Sequence, residues 1–237
     1  MKYKNSLLKI YYKFYKSEEY FDVDYAVNWN ESHTVFKFDC GLNDDNVIVA
    51  TPYSAVRRGK AKADKPMGEW LKTDKYTVLS NGFFAYNFYD NNLGFTILRS
   101  PIYGDFRLGE LSKKDHMIME QGITSGQVRV LLGGNFAPLD AMKFNNPPTV
   151  VCESNHSGKL PPTDGFMKFL SDCSVVSSVK HCEDDNGIII RIINYEKAEN
   201  TSLNLYGRDY NISIGKREIK TLKYKNNTLT EVNMLEK

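Results

Sequence analysis

Strand-like segments dominate the pattern of apolar and polar positions. Ser6–Phe14 and Tyr20–Val27 are rich in Tyr, Phe, Ile and Val and are separated by a polar turn, Lys16–Glu19, which predicts two strands. "HTVFKFDC" alternates with period two, placing Phe36, Phe38 and Cys40 on one face and Val35, Lys37 and Asp39 on the other. "NVIVATPY" continues the pattern up to Pro52. A charged stretch, "RRGKAKADKPMGEW", then has Gly and Pro but no apolar period; it reads as a surface loop, longer than a mere connection requires.

"YTVLSNGFFAYNFYDNNLGFTILRS" predicts three short strands with hairpin turns at Ser80-Asn81-Gly82 and Asp90-Asn91-Asn92. Strict alternation in the third strand puts Arg99 on the same side as Phe95 and Ile97. A guanidinium at the end of an apolar face requires an explanation. A second long loop, Pro101–Asp115, precedes the strand "GQVRVLLGG". The proline-punctuated region 145–164 reads as a crossing segment, and the last third is a series of short strands divided by Asn-Gly and Gly turns. Only "MGEWLK" and "DGFMKFL" read as short helices. Strands and turns at this spacing, with no βα alternation, predict an all-β protein of sandwich type.

Composition changes this picture little. A chain of 237 residues that is 41% hydrophobic can bury one large β domain or two smaller ones. The net charge of +2 gives no field that would favour nucleic acid or an anionic membrane. No window reaches the ~20 apolar residues of a membrane-spanning helix, and the N-terminus lacks the apolar core of a secretory signal, so the expected location is cytoplasmic. Cys40, Cys152, Cys173 and Cys182 contain no CxxC pair and read as reduced structural thiols.

Catalytic chemistry finds little footing. His33, His116, His156 and His181 are scattered, with no HxH or HExxH, so no metal site is expected in the chain. GxSxG, P-loop and GxGxxG motifs are missing from the sequence. Asp184-Asp185 precedes Asn186-Gly187 and reads as a hairpin turn rather than a calcium loop. The adjacent carboxylates Glu18-Glu19, Asp44-Asp45 and Asp184-Asp185 all fall in turns, and nothing marks them as the acid and base of glycoside hydrolysis.

A resemblance rests on six motifs in order: "VNWNESHTVFKFDC", "TPYSAVRRG", "PMGEW", "VLSNGFFAYNFYDNNLGFTILRSPIYGD", "MEQG", and "SVVSSVKHCEDDNGIIIRIINYE" with "REIKTLKY". Together they resemble the C-terminal β-domain of glycoside hydrolase family 38, the α-mannosidases, from about Asn5 to Tyr224. The resemblance implies part of a galactose-mutarotase-like supersandwich over residues 1–145, a crossing segment over 146–170, and strands of a smaller C-terminal β-sandwich over 171–237.

It also implies that the zinc, the aspartate nucleophile and the acid catalyst belong to an N-terminal domain not present in this sequence. The chain would then be a fragment, a truncated reading frame or one piece of a split enzyme, inactive by itself. Its expected partners are that catalytic domain or subunit and an α-mannoside glycan. By resemblance, Arg99 matches an arginine at the sugar pocket, Arg58 a recurrent arginine, and Glu120 the aspartate of an Asp-Gln-Gly motif; Tyr103 is a candidate sugar-facing aromatic. Ser54, Gly59 and Glu120 depart from the family residues. For Arg99 the plain alternative is a surface ion pair with Asp105 or Glu110. Two rival readings remain: a self-sufficient carbohydrate-binding module using Trp70, Tyr103 and Arg99, and a structural domain that docks on a catalytic subunit.

Overall fold

A computed structural model describes residues 1–82, 85–103, 117–133, 136, 138–154, 157–159, 161 and 163–237. The chain forms two compact units: Met1–Thr51 with Val56–Asn135, and Pro52–Ala55 with Phe136–Lys237. Both are built from antiparallel sheets, as the alternation predicts.

The first unit comprises β1 (Lys2–Tyr3), β2 (Ser6–Phe14), β3 (Tyr20–Trp29), β4 (Val35–Asp39), β5 (Ile48–Thr51), β6 (Ser54–Arg57), β7 (Lys65–Pro66), β8 (Trp70–Lys72), β9 (Tyr76–Ser80), β10 (Ala85–Tyr89), β11 (Asn92–Arg99) and β12 (Gly122–Leu132). An eight-stranded sheet runs in the order β1-β2-β3-β12-β9-β8-β5-β6, and a four-stranded sheet in the order β4-β11-β10-β7. One apolar core joins them. Val23, Val27, Leu71, Val78 and Val128 come from the large sheet, and Tyr86, Phe88, Phe95 and Leu98 from the small one. Each such side chain, fully buried, contributes about 1.5–3 kcal/mol. Phe36, Phe38 and Cys40 pack against this core from a single face of β4 and its exit, as their spacing requires.

The second unit holds α1 (Pro138–Asn145), β13 (Met167–Phe169), β14 (Ser174–His181), β15 (Ile188–Asn194), β16 (Glu199–Leu205), β17 (Arg208–Ile214), β18 (Ile219–Lys225) and β19 (Thr228–Val232). A three-stranded sheet, β13-β16-β17, and a four-stranded one, β14-β15-β18-β19, share a core of Ile190, Ile192, Leu203, Leu205, Ile212, Ile214 and Leu222. Two-residue turns close β16–β17 at Tyr206-Gly207 and β18–β19 at Asn226-Asn227, with all four residues at positive φ. That backbone matches the twist of the paired strands.

Three local expectations are corrected. "MGEWLK" and "DGFMKFL" are not helices: their centres are β8 and β13, because Trp70 and Leu71 are buried in the large sheet and Met167–Phe169 pairs with β16. The helix lies instead at α1, where Pro138 opens it, Asp140 sits in the first turn and Lys143 in the last. Ser80-Asn81-Gly82 closes no hairpin, since β9 pairs with β8 and β12 while β10 pairs with β11 and β7. The chain changes sheet there. Asp90-Asn91 does form a tight two-residue turn, at φ 48° and 61°, between paired Tyr89 and Asn92.

Candidate functional site

A further correction, to the alternation itself, concerns Arg99. Along β11 and β4, Phe95 stands opposite Phe38 and Thr96 opposite Lys37, but the register then slips so that Leu98 faces Phe36 and Arg99 faces Val35. Ile97 is the extra residue of a β-bulge. Opposed residues share a face, so Leu98 joins Phe95 on the core side and Arg99 moves to the outward side with Thr96 and Lys37. No guanidinium ends an apolar face: the bulge re-aims it.

The outward face of the four-stranded sheet therefore carries polar residues in each of three successive rows, about 7 Å apart for residues two positions along a strand. They are Val35 with Arg99; Lys37 with Thr96 and Ala85; and Asp39 with Gly94 and Asn87. Asp64, from the charged loop after Arg57, lies over the middle of this face. Its Oδ1 accepts from Lys37 Nζ at 2.5 Å and from Asn87 Nδ2 at 2.7 Å, and its Oδ2 from Thr96 Oγ1 at 2.9 Å. Partial burial works to raise the Asp64 carboxyl, but hydrogen bonds from Lys37, Thr96 and Asn87 outweigh it and hold the group below the ordinary carboxylate range. It stays ionised at neutral pH and is unsuited to the part of a proton-donating acid. Gly94 leaves the third row open: a Cβ there would stand 2.6 Å from Asp39 Oδ1 and 2.8 Å from Asn87 Oδ1.

At the exit of β11, Glu120 reaches Arg99. Its Oε2 accepts the Arg99 backbone N–H at 2.6 Å and its Oε1 lies 3.9 Å from Arg99 Nε. Glu120 adopts a left-handed backbone, φ 53°, a conformation that costs a non-glycine residue about 1–2 kcal/mol. The neighbours that hold it are the Gln121 amide, which donates to Glu31 O at 2.7 Å, and the Met119 N–H, which donates to Pro101 O at 2.9 Å. Ser100, fully buried, fixes the other side by donating its hydroxyl to Thr34 O at 3.0 Å. Tyr103 follows four residues after Arg99, half exposed, its N–H bonded to Met117 O at 3.2 Å. The ion-pair alternatives for Arg99, Asp105 and Glu110, lie outside the described residues, as does most of the Pro101–Asp115 loop.

Arg99, Glu120 and Tyr103 thus belong to one end of one strand. Arg58 does not join them. Its N–H bonds Val47 O at 3.0 Å, and its charge acts on the Tyr86 hydroxyl, where burial raises the phenol and Arg58 works against that rise. Tyr86 stands opposite Phe95, on the core side of the sheet. Trp70 is 1% exposed and cannot serve as a sugar platform, contrary to the rival reading that used it. Asp39, Asp64, Asn87 and Thr96 were not singled out by sequence reasoning. The signals were the Lys37/Asp39 polar face of "HTVFKFDC" and the unusual length of the loop carrying Asp64.

Asn87 and Thr96 are buried and spent on Asp64, so what the face offers outward is the Arg99 guanidinium and the Lys37 ammonium beside the Asp64 and Glu120 carboxylates, donors and acceptors together, which suits a neutral polyhydroxylated ligand better than a single ion. Among the described residues no three His, Cys, Asp or Glu side chains gather as a metal ion needs, so these residues do not fit a resident zinc. Asp185, in the turn between β14 and β15, accepts from Lys223 at 2.8 Å, Lys225 at 2.9 Å and the Gly187 N–H at 2.8 Å. Those partners account for its carboxylate as a turn, with no cation required.

No family model matches the chain, and the comparison with curated proteins finds no match. Among solved structures the chain is similar to one titled an alpha-mannosidase from Enterococcus faecalis V583, with a TM-score of 0.69 and 15% identity over 89% of this chain and 28% of that one. It is likewise similar to one titled a protein in the glycosyl hydrolase family 38 from Enterococcus faecalis, with a TM-score of 0.71 and 15% identity over 90% of this chain and 29% of the other. The chain spans less than a third of the length of these structures and, over nine-tenths of its own length, has the all-β fold of that portion of them.

Proposed function

We propose that this chain is the C-terminal, non-catalytic portion of a family 38 α-mannosidase, contributing polar groups to a mannose pocket that a zinc-bearing catalytic domain or subunit completes. The observation that carries the reading is the likeness of fold to α-mannosidase and family 38 structures over 89–90% of this chain. The six sequence motifs support it independently. The surface to present to sugar is the outward face of the four-stranded sheet, from Asp39 and Asn87 through Asp64 to Arg99, with Glu120 orienting Arg99 and Tyr103 beside it. The complete enzyme would act on α-linked mannose in the cytoplasm.

In this division of labour the residues described here bind and orient, and the bond is broken elsewhere. A glycosidase needs a carboxyl poised to protonate the leaving oxygen, whereas Asp64 is held ionised by three donors. The purified chain should therefore give no hydrolysis of a nitrophenyl α-mannoside. Turnover by preparations free of other mannosidases, and abolished by Asp64→Asn or Glu120→Gln, would overturn the reading. The module that binds sugar without a partner loses the stacking residue on which it relied, since Trp70 is in the core.

A further inference from the structure

The first unit is open along one side. β2 is paired with β3 from Leu7 to Phe14, but β1 covers it only at Ser6 and Leu7, after which Leu8 exchanges backbone bonds with Met1. Outward-directed N–H and C=O groups recur at every second residue of an antiparallel strand, and Leu8 sets the parity. Ile10, Tyr12 and Phe14 therefore turn their backbone groups away from β3, and among the described residues no strand meets them. A long edge of this kind, with Tyr11, Tyr12 and Phe14 exposed, is a template for strand addition.

At the end of β2 that β1 covers lies a cavity of about 320 Å³, reaching β4, the terminal strand of the other sheet; its walls include Met1, Tyr3, Leu8, Val27, Trp29 and Phe36. Trp29 is 97% buried, being 3% exposed, and its indole N–H is out of water with no acceptor among the described residues. A stranded buried donor costs about 1–3 kcal/mol. The cavity and the orphaned donor adjoin the covered end of β2, and the open edge begins beyond them at Ile10.

Charge selects the occupant. Lys2, Lys4, Lys9, Lys13 and Lys16 precede the first acidic residue, Glu18. Only Lys13 has a carboxylate partner among the described ion pairs, Asp24. A second copy would bring the same lysines against themselves, and like charges across an interface are unfavourable. We infer that this side of the unit docks an extended strand of another polypeptide that alternates apolar with acidic residues, adding to β2 beyond Leu8 with its acidic side chains along the face that carries Lys9 and Lys13. The inference is independent of the sugar site, which lies on a different face of the four-stranded sheet.

The test uses the full chain and two fluorescein-labelled peptides as long as β2, one alternating Val with Glu and the other Val with Lys, read by anisotropy and by hydrogen exchange. The Glu peptide should bind saturably, about tenfold or more tighter than the Lys peptide, and slow exchange at Ile10, Tyr12 and Phe14. Tyr12→Pro removes an outward N–H while sparing the ladder to β3, and should weaken binding about tenfold; Tyr12→Thr should not. Should Tyr12→Pro fail to fold, the two peptides and the three amides decide on the unaltered chain. No binding, equal binding of both peptides, unprotected amides, or a concentration-dependent dimer through β2 would overturn the inference.

Discussion

Asp64→Ala is the perturbation that probes the polar face most sharply. It removes the acceptor shared by Lys37, Asn87 and Thr96. Asn87 and Thr96 are 4% and 3% exposed, so their donors cannot turn to bulk water without movement. Two stranded donors at about 1–3 kcal/mol each bracket the loss. The Asp64 side chain is itself 38% exposed, and water entering the vacated space satisfies part of the demand, which places the expected cost near the lower bound, about 2 kcal/mol. For a unit of this size that is a fall of about 8 °C in the melting temperature, taking ~4 °C per kcal/mol, measurable by calorimetry on the transition of the first unit. Thr96→Val should cost about 1 kcal/mol less in the Asp64→Ala background than alone, because the hydroxyl has already lost its partner. The pH dependence has a definite sign. The carboxyl is held below its ordinary value of 3.8, so its contribution is present above that pH and is lost as pH falls through the lower folded value. Wild type and Asp64→Ala should converge in acid. Melting of Asp64→Ala within about 1 °C of wild type at pH 7, or an undiminished Thr96→Val effect, would refute the reasoning.

Further outcomes follow from other contacts. Asp22, 1% exposed, receives Arg129 through two bonds of 2.7 and 2.9 Å and the Tyr15 hydroxyl at 2.8 Å; Asp22→Ala should destabilise by about 3–5 kcal/mol in a denaturant titration, since it removes the buried carboxylate that these donors share. Gly126→Ala would drive a methyl group into the Tyr25 hydroxyl; an overpacking loss of about 1–3 kcal/mol is expected, with Tyr25→Phe recovering part of it in the double variant. Asp185 is held well below the usual carboxylate range by hydrogen bonds from Lys223, Lys225 and the Gly187 N–H, so its stabilisation is present above about pH 4 and is lost as pH falls further. In an acid titration Asp185→Asn should flatten that part of the stability curve of the second unit, and an unchanged curve would contradict the assignment.

Much of the fold was legible because period two and turn chemistry are local. Ser6–Phe14 and the start at Tyr20 coincide with β2 and β3, and Asp90-Asn91 forms the turn that its residue types favour. What escaped depended on partners distant in sequence. Ser80-Asn81-Gly82 has the composition of a hairpin turn, yet the strands on either side belong to different sheets, a choice made by tertiary burial. The bulge at Ile97 has no signature within "GFTILRS"; it arises from the pairing with β4 and reverses the side on which Arg99 emerges. Trp70 looked like a loop aromatic because its neighbours are polar, and only the packing of β8 into the large sheet shows it to be core. The same limit hid Asp64, a loop carboxylate whose importance comes from Asn87 and Thr96, more than twenty positions away.

Titration of the isotopically labelled chain with methyl α-mannoside, followed by amide and side-chain NMR shifts, tests the sugar-facing assignment most directly. The account predicts shifts confined to Asp39, Asp64, Asn87, Thr96, Arg99 and Glu120 that remain short of saturation at millimolar sugar, because the completing domain is absent, and that are lost in Arg99→Ala. Saturation at millimolar sugar or below, which a self-sufficient module predicts, or shifts centred away from this face and indifferent to Arg99→Ala, would contradict it.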